Sequence, residues 1–218
     1  MTQERVEVLT FETGPLQENA YLVIDRATRD AVMVDPGEDA DMLISAVEQA
    51  NVQLQAIWLT HAHFDHVGAV KAVRVRFGVP VYLHEADIPM FEAGPFQAAS
   101  YGLPFDGDLA PGERFVEGQG LRLGELSFSV MHTPGHSPGH VTIHGHGIAL
   151  VGDCLFAGSI GRTDLPFGNV ADFGRSLRRI VALPPETRVF AGHGPATTVG
   201  DERRTNPYIL ELLATLPR

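Results

Sequence analysis

The chain has 218 residues, 44% of them hydrophobic and 20% charged, with 16 basic against 27 acidic side chains and a net charge of −11. That length and balance fit a single folded domain over 1–218 and exclude a disordered chain, and the acidity argues against nucleic acid or a membrane as partner. One cysteine against ten histidines excludes a disulfide framework and supplies an excess of titratable metal ligands.

The N-terminal run Met1 to Glu7 lacks the apolar core of a signal peptide. No stretch approaches the roughly eighteen apolar residues of a membrane span, so a cytoplasmic protein is expected. Val6 to Phe11 alternates apolar and polar, as a half-buried strand does, and Ala20 to Ile24 and Ala31 to Val34 are short apolar strands. Asp35-Pro36-Gly37 stops the third of these. Leu43, Ile44, Val47 and Ala50 then carry helical spacing. Ala56 to Thr60 reads as a buried strand ending at His61. Val67 to Phe77 reads as a helix stopped by Gly78, with strand Val79 to Leu83 beyond Pro80. Residues 86–120 are rich in glycine, proline and aromatics, hold little periodicity and are expected to be mostly loop. Strands follow at Leu126 to Met131, Val141 to His144 and Ile148 to Val151. Helix Phe173 to Leu183, strand Arg188 to Ala191 and a closing helix Tyr208 to Leu216 complete the chain. The order is α/β and repeats one theme twice, which predicts two sheets face to face with helices outside.

The chemistry concentrates in His61-Ala62-His63-Phe64-Asp65-His66, where the buried strand gives way to a helix that His66 opens. Three imidazoles and a carboxylate cannot share an apolar core without partners, because burying polar groups unpaired costs several kcal/mol. A metal ion resolves that cost. Positions 61, 63 and 65 project to one side if this segment is extended. Three more residues follow strands: His136 in Thr133-Pro134-Gly135-His136, Asp153 in Gly152-Asp153-Cys154, and His193 in Gly192-His193-Gly194-Pro195. All lie at strand C-termini and can meet at one edge. Five histidines and two aspartates suffice for two metals sharing one carboxylate, and nitrogen and oxygen donors suit zinc first, with iron or manganese accepted by the same set.

The His-x-His-x-Asp-His run, the later histidine, the Gly-Asp and the Gly-His-Gly-Pro together resemble the metallo-β-lactamase superfamily over essentially the whole chain. The resemblance implies a four-layer αβ/βα sandwich of the metallo-β-lactamase type. It also implies one metal on His61, His63 and His136, a second on Asp65, His66 and His193, and Asp153 bridging. Cys154, next in line, should point away. Gly152 to Asp164, with Glu202 to Pro207, resembles the hydroxyacylglutathione-hydrolase-like branch. Two departures separate the chain from the glutathione-specific enzymes: it stops short of their further C-terminal helical domain, and Asp164 stands where they place an aromatic.

The implied reaction is hydrolysis of a small-molecule thioester of a hydroxyacid, like S-D-lactoylglutathione, with Asp65 both ligating and orienting the attacking hydroxide. Arg162 is expected either to bind a substrate carboxylate bidentately or to pair with Asp164. The competing reading is a mononuclear iron persulfide dioxygenase on His61, His136 and Asp153; a third is a non-catalytic metal-binding module. His84, His132, His140, His144 and His146 are left as structural or supporting residues, with His132 the first candidate to orient a ligand. Phe91, Phe96, Tyr101 and Phe105 either wall a substrate pocket or anchor the long loop to the core.

Overall fold

The computed structural model describes residues 5–105 and 111–214. A meander of β1 (Val6–Thr13), β2 (Glu18–Asp25) and β3 (Asp30–Val34) leads into α1 (Ala40–Ala50), β4 (Gln53–Trp58), α2 (Val70–Phe77) and β5 (Val81–His84). Two short helices, α3 (Ile88–Glu92) and α4 (Gly94–Ser100), precede β6 (Glu113–Phe115). The second half runs β7 (Gly120–Leu123), β8 (Leu126–His132), β9 (Val141–Gly145), β10 (Ile148–Gly152), then the small hairpin of β11 (Leu155–Phe156) and β12 (Ser159–Ile160). It closes with α5 (Val170–Ile180), β13 (Arg188–Ala191), β14 (Thr197–Thr198), α6 (Val199–Thr205) and α7 (Pro207–Ala214). The strands form two six-stranded sheets, ordered β1-β2-β3-β4-β5-β6 and β14-β13-β10-β9-β8-β7.

The four layers follow from alternation along each strand. Side chains leave a strand on opposite faces in turn. In β2 and β3, Ala20, Leu22, Ile24, Ala31 and Met33 join the cluster that α1 and α2 cover. Their neighbours Tyr21, Val23, Val32 and Val34 join a second cluster with Phe128, Ile143 and Phe190 of the other sheet. In β10 and β13, Ile148, Leu150 and Phe190 face that shared interior. Ala149, Val151, Val189 and Ala191 instead face Phe173, Leu177 and Ile180 of α5. Both central regions are thus covered on both faces, which is why β2 is buried along its whole length. Edge-to-face pairs Trp58–Phe128 (5.8 Å) and Tyr21–Phe190 (5.5 Å) join the sheets. This is the αβ/βα sandwich.

The nine strands read from alternation and apolar runs are all present, and four short ones, β7, β11, β12 and β14, were not anticipated. The region 86–120 differs: instead of loop it holds α3, α4 and β6. Pro89 and Pro95 sit in the first turns of these helices, where a missing N–H costs nothing, and five and seven residues are too few to establish a period. The second helix begins at Val70 rather than Val67, because Phe64–His66 forms a 3₁₀ turn first. His66 therefore closes a turn and does not open the helix. The closing helix is seen to Ala214, and 215–216 lie outside the described residues, as does Met1 to Glu4. Among the described residues no helix is long and apolar enough to cross a membrane.

Candidate metal centre

Strands β4, β8, β10 and β13 all end at one rim of the sandwich, and the loops that leave them converge there. After β4 the chain is anchored by Asp35 from the end of β3, whose carboxylate accepts the Thr60 N–H (2.7 Å) and Thr60 Oγ1–H (2.6 Å). His61 and His63 follow in irregular backbone, and Asp65 lies in the 3₁₀ turn. The expected one-sided projection of 61, 63 and 65 from extended chain is thus replaced by a turn that brings them together.

His61 Nε2 lies 3.1 Å and His136 Nε2 2.9 Å from the same atom, His63 Nδ1. The far nitrogens decide the tautomers. His136 Nδ1 faces the Arg162 carbonyl at 2.8 Å and must donate to it. His61 Nδ1 faces Thr60 Oγ1 at 3.0 Å, and that hydroxyl has already given its proton to Asp35. Both rings therefore aim a bare Nε2 lone pair at His63. Burial, with neighbouring histidines, pushes His61 well below its ordinary pKa and His63 down to about 3, which favours the neutral, singly protonated form of both rings.

A second cluster holds Asp65, His66 and His193. His66 Nδ1 lies 3.3 Å from Asp35 Oδ2 and 3.5 Å from Glu18 Oε1, which turns Nε2 toward Asp65 and Asp153. Asp65 Oδ2 lies 3.4 Å from His193 Nε2 and 3.9 Å from His66 Nε2. Asp153 stands between the clusters: Oδ1 is 3.5 Å from His66 Nε2, while Oδ2 is 3.5 Å from His136 Nε2 and 3.7 Å from His193 Nε2. Burial opposes charge on His66, yet Asp153, Asp65, Asp35 and Glu18 together raise its pKa well above normal. Burial likewise opposes ionisation of Asp65, and the facing imidazoles overcome it, holding that carboxyl below the usual range.

These residues fit cations. His66 Nε2 and Asp153 Oδ1 are buried and without a hydrogen-bond partner, a state that costs roughly 1–3 kcal/mol per group unless something fills the gap. Two sets of ligand atoms, from His61/His63/His136 and from Asp65/His66/His193, each lie within 4.8 Å of one another. A third set, Asp35/His61/His66, meets the same distance, but Asp35 already accepts from Thr60 and His66, so it orients the imidazoles instead. All seven residues singled out in the sequence are brought together.

The supports were harder to foresee. His140, not His132, backs the cluster: it stacks on His61 (5.1 Å, 29°), and its Nε2 accepts the Asp153 N–H at 3.1 Å. His132 ends β8 facing away, stacked on His84 at 4.2 Å, and its Nε2 donates to the Pro138 carbonyl. Asp87, wholly buried, accepts Ala62 N–H (3.2 Å), Ser137 Oγ–H (2.7 Å) and Gly139 N–H (2.5 Å), tying the His61/His63 loop to the His136 turn. Cys154 turns into the core toward the Thr133 carbonyl, its thiol pushed up by burial. Gly192 is required by space, because a Cβ there would meet Asp153 Oδ1 at 2.2 Å and His66 Cε1 at 2.6 Å. Arg162 pairs bidentately with Asp164 (2.7 and 2.8 Å), and the guanidinium pulls that carboxyl down to about 2. A cavity of about 740 Å³ opens above the cluster. Of the four loop aromatics, Phe91 is core and Phe105 packs on Gly94, whereas Phe96 and Tyr101 line the cavity.

An αβ/βα sandwich carrying a histidine–aspartate cluster at its strand ends is the architecture of a metal-dependent hydrolase. The chain belongs to the metallo-beta-lactamase superfamily, which it matches over residues 13–193. It is 39% identical to hydroxyacylglutathione hydrolase GloC of Haemophilus influenzae over 198 residues, 88% of this chain and 93% of that protein. Among solved structures it is similar to the BLEG-1 B3 metallo-beta-lactamase (40% identity, TM-score 0.88, covering 93% of this chain and 99% of that one). It is also similar to TTHA1623 in a di-iron-bound form (43% identity, TM-score 0.85, 92% and 100%).

Proposed function

We propose that this chain is a dinuclear metal hydrolase cleaving the thioester of a hydroxyacid. The carrying observation is Asp153, whose two oxygens face both ligand clusters at once. One divalent cation would be held by His61, His63 and His136, the other by Asp65, His66 and His193, with Asp153 placed to serve both. Zinc, iron and manganese all suit these donors. A complete second cluster is what a mononuclear iron dioxygenase on His61, His136 and Asp153 would not need. The likeness to hydroxyacylglutathione hydrolase GloC supports the thioester as the bond cut.

When bound, the cations lower the pKa of a water to about 7 and polarise the substrate carbonyl. The protein does the rest. Asp65, kept ionised, accepts a hydrogen bond from the attacking water and fixes its direction. Asp35 and Glu18 hold His66 in the tautomer that leaves Nε2 free, and the Arg162 carbonyl does the same for His136. The leaving group is a thiolate of a thiol with pKa about 8.5, so it departs without a strong general acid. Consistent with that, the acids at the floor are carboxylates facing imidazoles.

The test sets thiol release from S-D-lactoylglutathione beside oxygen uptake with glutathione persulfide, on metal-loaded protein. Hydrolysis without oxygen uptake, lost on Asp65→Ala and on His193→Ala, is expected. Oxygen uptake, or hydrolysis surviving both substitutions, contradicts the proposal.

A further inference from the structure

The cavity is far larger than a small hydroxyacyl group, so most of it is left for the rest of the substrate. Its outer wall is apolar and open to water: Phe96 of α4 is 81% exposed, Phe167 of the loop before α5 70% and Tyr101 55%, with Leu16 beside them. Large apolar side chains held in water around a catalytic cavity mark a surface that a ligand covers. The polar groups of that wall are mostly engaged already. Gln97 Nε2 donates to the Met90 carbonyl at 2.7 Å and Ser100 Oγ to the Gln97 carbonyl at 2.6 Å. Arg162, the one guanidinium or ammonium lining the cavity among the described residues, gives its bidentate edge to Asp164. Its other charged and imidazole groups are the Asp65, Asp153, His63, His136 and His193 of the metal cluster. A substrate arm bearing free carboxylates would find, among the described residues of the wall, no unpaired guanidinium or ammonium.

We propose that the thiol carrier of the substrate presents an apolar, uncharged arm, seated against Phe96, Tyr101 and Phe167. This rests on the thioester reading above. S-D-lactoylglutathione is then recognised through its acyl half, while its charged peptide arm uses the cavity poorly. The packing of Tyr101 on Phe64 (5.1 Å between rings) fixes the inner end of the aromatic wall next to the His63–Asp65 segment, so the arm and the scissile bond lie in one continuous space.

The probes are 2-hydroxypropyl alkyl sulfides, in which a methylene replaces the thioester carbonyl, with ethyl, butyl and hexyl carriers, and S-(2-hydroxypropyl)glutathione. Calorimetric binding to the metal-loaded protein is expected to tighten about fourfold per added methylene. The glutathione sulfide should bind more weakly than the hexyl one. Phe96→Ser and Phe167→Ser, both at exposed positions, should weaken hexyl binding about tenfold and leave ethyl binding unchanged. Affinity that is flat with chain length, or tightest for the glutathione sulfide, overturns the inference. Because the sulfides are not cleaved, the trend is read whether or not thioesters turn over. An intact trend with no thioester hydrolysis would support the apolar arm and sink the hydrolytic reading alone.

Discussion

His66 Nε2 and Asp153 Oδ1 face each other at 3.5 Å, both buried and neither hydrogen-bonded. The sandwich assembles this gap from two halves of the chain: His66 comes from the turn after β4 and Asp153 from the end of β10. Asp153→Ala removes the carboxylate whose two oxygens face both clusters. Metal content should fall from two per chain to one or fewer, and thioester hydrolysis by at least about a thousandfold, a loss of roughly 4 kcal/mol in transition-state stabilisation. Metal analysis beside an unchanged circular-dichroism spectrum checks it. Two metals retained in the variant would remove Asp153 from the ligand set.

Asp87 joins the two loops that carry His61, His63 and His136, so its loss should be felt at the metals as well as in the fold. Asp87→Ala leaves the donors of Ala62, Ser137 and Gly139 unmatched, at a cost of roughly 2–4 kcal/mol. Metal affinity should drop about 10–100-fold, as when supporting partners of ligands are removed elsewhere. Competition with a chelator, run on the folded variant, reads this directly; unchanged affinity would make Asp87 a purely structural residue.

Gly192→Ala tests packing at the rim. The added methyl collides with Asp153 Oδ1 and the His66 ring, and neither is the free end of a flexible chain. Activity should fall about 10–100-fold with secondary structure intact, since small misplacements of reacting groups cost that much. Wild-type rates in this variant would mean that the rim relaxes freely.

Asp25 makes stability depend on acidity away from the site. Burial opposes its charge, but N–H groups of Glu125 and Ala27 and the Arg5 guanidinium hold its carboxyl below the usual range. A depressed folded-state pKa stabilises the fold above the unfolded value near 3.9, and the contribution is lost as pH falls through the folded one. Asp25→Asn should therefore lower Tm at pH 7 by roughly 3–6 °C, the equivalent of ~1–2 kcal/mol. The difference should shrink below about pH 3. A gap that stays constant with pH would locate the effect in packing.

The clustered histidines and aspartates were legible because burial and chemistry conflict in them: His61 to His66 follow an apolar strand directly, and three imidazoles in that position need polar or cationic partners. His136, Asp153 and His193 were legible from their place after strands beside glycines. Their supports were not. Asp35 reads as the stop of a strand, since Asp-Pro-Gly has a sufficient local reason to exist, and nothing in the sequence couples it to Thr60 and His66, 25 and 31 positions away. Glu18 and Asp87 look like surface carboxylates until the fold buries them. The longer β-strands of both sheets showed themselves as apolar runs or by alternation, whereas the short β6, β7 and β14 did not, and α3 and α4 are shorter than the window in which a helical period becomes visible. These two helices supply one side of the cavity wall, so the surroundings of the cluster were the least readable part of the chain.

The most direct test titrates a divalent metal into metal-free protein while following thiol release from a D-lactoyl thioester. With both clusters required, the rate should stay near background through the first equivalent and rise with the second, reaching its plateau at two metals per chain. A plateau at one equivalent, unchanged by the second, would contradict the dinuclear account.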